Sequence, residues 1–168
     1  GELESEITGA GIDPSTLIVE ISEAAAIADI GRARVLGTRL RALGCRFALD
    51  DFGAGVGSIY HLKHLPLDYI KIDGEFVNDC INDQRDRLAI AAVVELARGL
   101  GVSTVAEAVA DAGAVRILGQ LGVDFGQGRH FGWPRDLADA FEDAPAPRDR
   151  SPSSPATAPA AARSPAVT

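Results

Sequence analysis

Acidic side chains recur in one kind of place along this chain, at or just past the ends of short β-forming runs. Glu20 and Glu23 sit at the end of Leu17–Ile21, Asp50 and Asp51 close Arg46–Leu49, and Lys71 and Asp73 close Asp68–Ile72. Glu107 follows Val102–Ala106, and Gln127 follows the short run Val123–Phe125. In parallel β/α folds the C-terminal ends of the strands form the functional rim. One acid after a strand is readily explained as a helix N-cap or a solvated loop charge. Five strands doing the same converge several carboxylates and one lysine on a single mouth. Carboxylates crowded within a few ångströms do not all stay ionised unaided: some pKa values rise, or a divalent cation neutralises the group. Oxygen donors without Cys or His favour Mg²⁺ or Mn²⁺ over zinc. The adjacent pair Asp50-Asp51 suits two ions, which together activate a water and stabilise the leaving oxygen of a phosphoester. Lys71 would orient that water or meet the phosphate charge. The pattern predicts metal-dependent phosphodiester chemistry.

These side chains need a scaffold that brings strand ends together. The sequence predicts a strand-then-helix rhythm. Leu17–Ile21 is a β-rich run after an Asp13-Pro14 turn signal, and Ala24–Leu43 has helical spacing up to Gly44. Arg46–Leu49 is the next strand, followed by a glycine-rich loop and a short helix over Ser58–Leu65. Then come a strand at Asp68–Ile72, an amphipathic helix at Asp86–Leu100, a strand at Val102–Ala106, a helix at Asp111–Leu121 and a last strand at Val123–Phe125. Alternation of this kind implies parallel β/α units with right-handed crossovers. Two closures fit about five such units: an open doubly wound sheet, or part of a (β/α) TIM-type barrel of eight strands.

Composition bounds the rest. The 168 residues are 46% hydrophobic and 24% charged, enough apolar material for a real core. A formal net charge of −8 argues against polyanion binding, so DNA and RNA are not expected partners. No apolar run reaches the roughly 18 residues of a membrane span. Gly1–Thr8 is acidic and polar, unlike a secretory signal. Cys45 and Cys80 have no C-x-x-C partner, which points to ordinary thiols in a reducing, cytoplasmic setting. A longer parent could still be membrane-anchored. The segment 142–168 is mostly Pro, Ala and Ser and is expected to be a disordered tail, leaving 1–141 as the β/α domain.

At the rim residues the sequence resembles the EAL-domain family of cyclic di-GMP phosphodiesterases. Leu17-Ile18-Val19-Glu20-Ile21-Ser22-Glu23 is similar to that family's L-x-x-E-I-T-E, and the run from Asp50 to Ile59 to its D-D-F-G-T-G-Y-S-S-L. Asp68–Asp73 resembles D-x-[IL]-K-I-D, Leu100–Glu107 resembles L-G-x-x-V-V-A-E, and Gly126-Gln127-Gly128 resembles the late Q-G-Y motif. The resemblance implies a two-metal β/α barrel that opens cyclic di-GMP to linear pGpG with Mg²⁺ or Mn²⁺. It implies Glu20, Asp50 and Asp51 as metal ligands, the last serving the second ion. Lys71 would contact the attacking water, Glu107 would be a ligand or general base, Gln127 would help to hold the site, and Glu23 would brace the Asp50-Asp51 loop. It also implies a homodimer contact through the loop and helix after Asp51.

The departures matter as much. Neither a Glu-Ala-Leu tripeptide nor an early asparagine strand occurs, although both supply metal ligands in the family. The chain starts at Gly rather than Met, so the expectation is the C-terminal portion of such a domain, an incomplete barrel that is inactive on its own. Ala108 and Ala110 replace the Gly and second Glu of A-E-G-V-E, Ala54, Val56 and Gly57 change the loop after Asp51, and Arg129-His130 follows Gln127-Gly128. These changes favour the alternative of a degenerate domain acting as a cyclic di-GMP receptor or protein-interaction module. His61 and His64, three apart, lack a third ligand and are expected to be solvated or packed rather than metal-bound.

Overall fold

A computed structural model describes residues 2–53 and 62–134. The loop positions Ala54, Val56 and Gly57, His61, the first half of the expected Ser58–Leu65 helix, and the 142–168 tail lie outside the described residues, and with them the expected dimer contact.

Five parallel strands form one sheet in the order β1 (Ile18–Ser22), β2 (Arg46–Phe52), β3 (Tyr69–Ile72), β4 (Ser103–Ala106) and β5 (Phe125–Gly126). Spatial order equals chain order, as in a (β/α) barrel and unlike a doubly wound sheet, whose strand order reverses. Among the described residues, β1 and β5 are the two edges. The arrangement is therefore an incomplete (β/α) barrel.

Alternation along the strands separates two faces. Phe47, Leu49, Ile70, Ile72, Thr104 and Ala106 are at most 1% exposed and face the helices. The intervening residues Ile18, Glu20, Ala48, Tyr69, Lys71, Val105 and Phe125 line a groove of about 350 Å³ on the other face. The core lies wholly on the helix side, in two clusters. One gathers Leu40, Phe47, Leu49 and Ile70 beneath α2 (Glu23–Ala28) and α3 (Ile30–Leu43). The other gathers Ile72, Val77, Ile90 and Leu118 beneath α4 (Gly74–Asp79), α5 (Gln84–Leu100) and α6 (Ala112–Leu121). A further helix, α1 (Glu2–Gly9), adds the buried Ile7 to the first cluster.

Local chemistry sets the helix bounds. Asp29, Asp83 and Asp111 each accept a backbone N–H from the first turn of the following helix, at 2.7–3.0 Å. Helices α3, α5 and α6 each stop at a glycine in the left-handed conformation: Gly44, Gly101 and Gly122. The single helix expected over Ala24–Leu43 is corrected to two. Asp29 leaves the helical region (φ −149°) and caps α3, so the apolar periodicity runs across a real break. The last strand begins two residues later than expected, at Phe125, because Asp124 uses its side chain on the neighbouring strand. The thiols of Cys45 and Cys80 are buried and free. No helix among the described residues is long and apolar enough to cross a membrane.

Candidate active site

Lys71 is the hub of the rim. It lies on β3, its side chain is only 6% exposed, and its Nζ is 2.7 Å from each of Glu20 Oε2, Asp50 Oδ1 and Glu107 Oε1. Those acids come from β1, from β2 and from the residue after β4, so three neighbouring strands deliver one carboxylate each to a central ammonium. Burial alone would lower the lysine pKa, but the close carboxylates of Asp50, Glu107 and Glu20 outweigh it and hold Lys71 above the usual lysine range. Glu107 moves upward from the ordinary carboxylate range: burial raises it, Lys71 pulls it back, and the charges of Asp50 and Asp51 raise it again.

Adjacent residues on a regular strand point to opposite faces, yet Asp50 and Asp51 reach the same cluster. A bulge explains this. Leu49 pairs with Ile70 and Phe52 with Ile72, which places one extra residue on β2 between them. Asp51 takes a left-handed conformation (φ 55°), which Asp tolerates better than most residues. One carboxylate oxygen from each of Asp50, Asp51 and Glu107 then lies within 4.8 Å of the others, a group able to hold a metal ion. Asp50 Oδ1 is buried and, although ion-paired, takes part in no hydrogen bond of good geometry. Four acids around one ammonium leave an excess of negative charge. The all-oxygen donor set and the underused buried oxygen therefore fit a hard divalent cation.

The remaining expected site residues fall around this cluster. Glu23, 5% exposed at the start of α2, accepts the backbone N–H of Gly53 at 3.3 Å and so joins β1's exit to the turn after β2. Gln127 lines the groove with Glu20 and Lys71. Its backbone is fixed by hydrogen bonds from its N–H to Ala106 O (2.8 Å) and from Val109 N–H to its own carbonyl (3.0 Å). Gly128 follows at φ 154°, packed so closely that a Cβ there would lie 2.4 Å from the Val109 backbone. No other residue fits. Asp73, counted among the rim acids from sequence, caps α4 by accepting the Glu75 N–H at 2.7 Å. Ala108 holds φ 52°, a strained conformation for a residue with a Cβ.

The family follows from the comparisons. A family model described as EAL domain matches residues 1–134. The chain belongs to the EAL domain family. It is 38% identical over 123 residues to the cyclic di-GMP phosphodiesterase PdeB of Shewanella oneidensis, covering 73% of this chain and 14% of that one. Among solved structures it resembles a PaMucR phosphodiesterase in complex with c-di-GMP, with a TM-score of 0.77 and 33% identity over 82% of this chain and 56% of that chain. It likewise resembles BlrP1 of Klebsiella pneumoniae in a manganese and cyclic di-GMP complex, with a TM-score of 0.70, 31% identity, and coverage of 76% and 33%. The EAL chain described here spans less than a fifth of the length of the curated relatives it matches, 14% to 19% of the first few.

Asp68 and Asp124, immediately before β3 and β5, escape a reading that looks only at strand exits, yet each accepts a backbone N–H of the neighbouring strand. The available signal is an acid immediately before an aromatic-led strand, twice.

Proposed function

We propose that this EAL chain carries the water- and phosphate-handling rim of a cyclic di-GMP phosphodiesterase, cleaving one of the two phosphodiester bonds to give linear pGpG. The observation that carries the reading is the convergence of Asp50, Asp51 and Glu107 beside the buried, ion-paired Lys71. Asp50, Asp51 and Glu107 would hold one divalent cation, Mg²⁺ or Mn²⁺, with Glu20 available to a second. Such cations lower the pKa of a bound water and neutralise charge developing on phosphoester oxygens. Lys71 cannot act as a base, because its proton is held by three carboxylates; its part is to direct positive charge and N–H donors at the water or the phosphate. Where Glu107 does not ligate that cation, its place beside Asp50 and Lys71 suits it to accept the water's proton at a carboxylate oxygen. Glu23 holds the Asp50-Asp51 bulge through Gly53, and Gln127 walls the groove in which the nucleotide would lie.

The described carboxylates make one ion-holding group rather than two. We therefore expect the 168 residues alone to bind cyclic di-GMP and to release pGpG slowly or not at all. A second reading, a receptor that binds the nucleotide without hydrolysis, is favoured by Ala108. It replaces the family's Gly at a left-handed position directly after Glu107 and strains the backbone there. Incubation with cyclic di-GMP with and without Mn²⁺, followed by chromatography of the nucleotides, separates the two. Retention or pGpG release that requires Mn²⁺ and disappears in Asp50→Asn supports the phosphodiesterase rim, retention of intact nucleotide that survives Asp50→Asn and removal of Mn²⁺ supports the receptor, and no retention of cyclic di-GMP contradicts both.

A further inference from the structure

The two strands that carry the groove's lysine and glutamine share a local device. Asp68 immediately precedes β3, and its Oδ2 accepts the backbone N–H of Phe47 on β2 at 2.9 Å. Asp124 immediately precedes β5, and its Oδ2 accepts the backbone N–H of Thr104 on β4 at 2.8 Å and the Thr104 hydroxyl at 2.9 Å. Phe47 and Thr104 are each the second residue of their strand, and the ladders pair Ala48 with Tyr69 and Val105 with Phe125, so the two clamps occupy equivalent positions. Each Asp also donates its own N–H back: Asp68 to Phe47 O at 2.8 Å, Asp124 to Thr104 Oγ1 at 3.1 Å. The residues that follow repeat as well. Asp68-Tyr69-Ile70-Lys71 and Asp124-Phe125-Gly126-Gln127 each present an aromatic and then a polar side chain to the groove, and the rings of Tyr69 and Phe125 meet edge to face at 6.0 Å. No acid precedes β2 or β4, where Cys45 and Val102 stand.

We propose that Asp68 and Asp124 are positioning residues: by clamping the first backbone N–H available on the neighbouring strand, they set the register that brings Lys71 and Gln127 onto the rim. The need is physical. β4 holds β3 through four regular pairs, but the β2–β3 ladder is interrupted by the bulge and β5 pairs through only two residues, so these two ladders are where a side-chain clamp adds most to the register. A one-residue slip of β3 would turn Lys71 to the helix-covered face, among Phe47, Leu49 and Ile72, and would empty the centre of the carboxylate group. The proposal deepens the phosphodiesterase reading, but its readouts require neither metal nor turnover, so either can fail without the other.

The test is ¹⁵N-edited NMR of the ammonium groups in the full chain. Lys63 is the only other lysine, so the signal that remains in Lys63→Arg assigns the ammonium of Lys71. In Asp68→Ala, with a native near-UV spectrum, the Lys71 signal should lose its protection and exchange as fast as a fully solvated ammonium. Asp68→Asn keeps an acceptor for the Phe47 N–H and should retain the signal; so should Arg46→Ala, which removes only the 3.4 Å ion pair to Asp68. A protected Lys71 signal in folded Asp68→Ala would overturn the proposal, as would its loss in Asp68→Asn. Should Asp68→Ala not fold, Asp124→Ala on the edge strand decides the matter. Amide exchange at Gln127 and Val109 is expected to accelerate at least about tenfold while the Lys71 ammonium stays protected, and unchanged exchange there would refute it.

Discussion

The carboxylates at the two ends of this sheet behave in opposite ways. At the N-terminal ends of the strands, Asp68 and Asp124 spend their oxygens on backbone N–H groups of the neighbouring strand. At the C-terminal ends, Glu20, Asp50 and Glu107 spend theirs on one lysine, and Asp51 adds a further charge beside them. The first set chiefly fixes geometry, Asp68 adding one exposed 3.4 Å ion pair to Arg46; the second concentrates charge that the fold does not balance by itself. Residue type does not separate the two sets. What separates them is whether a main-chain donor or another side chain stands within reach.

Removing the hub should have the largest effect. Lys71→Met leaves three part-buried carboxylates without their cation, and losing one partner of a buried ion pair costs about 3–5 kcal/mol. Urea unfolding without divalent cations should show that loss, and added Mg²⁺ should restore part of it; an unchanged midpoint would mean that the ammonium balances no charge. At the other end of the sheet the expected loss is smaller. Asp68→Ala strips a hydrogen bond from the N–H of the buried Phe47 and should cost about 1–3 kcal/mol in the same assay, with no rescue by Mg²⁺. Rescue there would erase the distinction between the two ends. The smallest effect has the opposite sign. Ala108→Gly relieves a left-handed alanine and should raise stability by about 0.5–1 kcal/mol, the strain removed outweighing the extra freedom of glycine in the unfolded chain. A fall in stability would show that φ 52° at this position is not strained.

Much of the rim was legible in the sequence because strand ends announce themselves: a β-branched run, then an acid, then a helix signal. Glu20, Asp50, Lys71 and Glu107 were all found in that way, and the structure brings them around one atom. Less legible was the direction of neighbouring side chains. Strict alternation would send Asp51 away from Asp50, and only the bulge in β2 reconciles them, a feature with no composition signal beyond the following glycine. Asp73 illustrates the converse: it stands in a rim position, but a free helix N-terminus lies one residue on and takes it as a cap. The break at Asp29 was hidden for a similar reason, since apolar spacing continues through a cap when two helices pack on the same face. Asp68 and Asp124 were hidden because their partners lie about 20 residues away, on another strand.

The central claim is that the rim holds a divalent cation through Asp50, Asp51 and Glu107. Titration of the chain with Mn²⁺, followed by the electron paramagnetic resonance of the free ion, tests it most directly. The wild-type chain should remove Mn²⁺ from solution saturably, and Asp50→Asn should abolish that uptake while still unfolding in one cooperative transition. Equal Mn²⁺ uptake by wild type and Asp50→Asn, or none by the wild-type chain, would contradict the account.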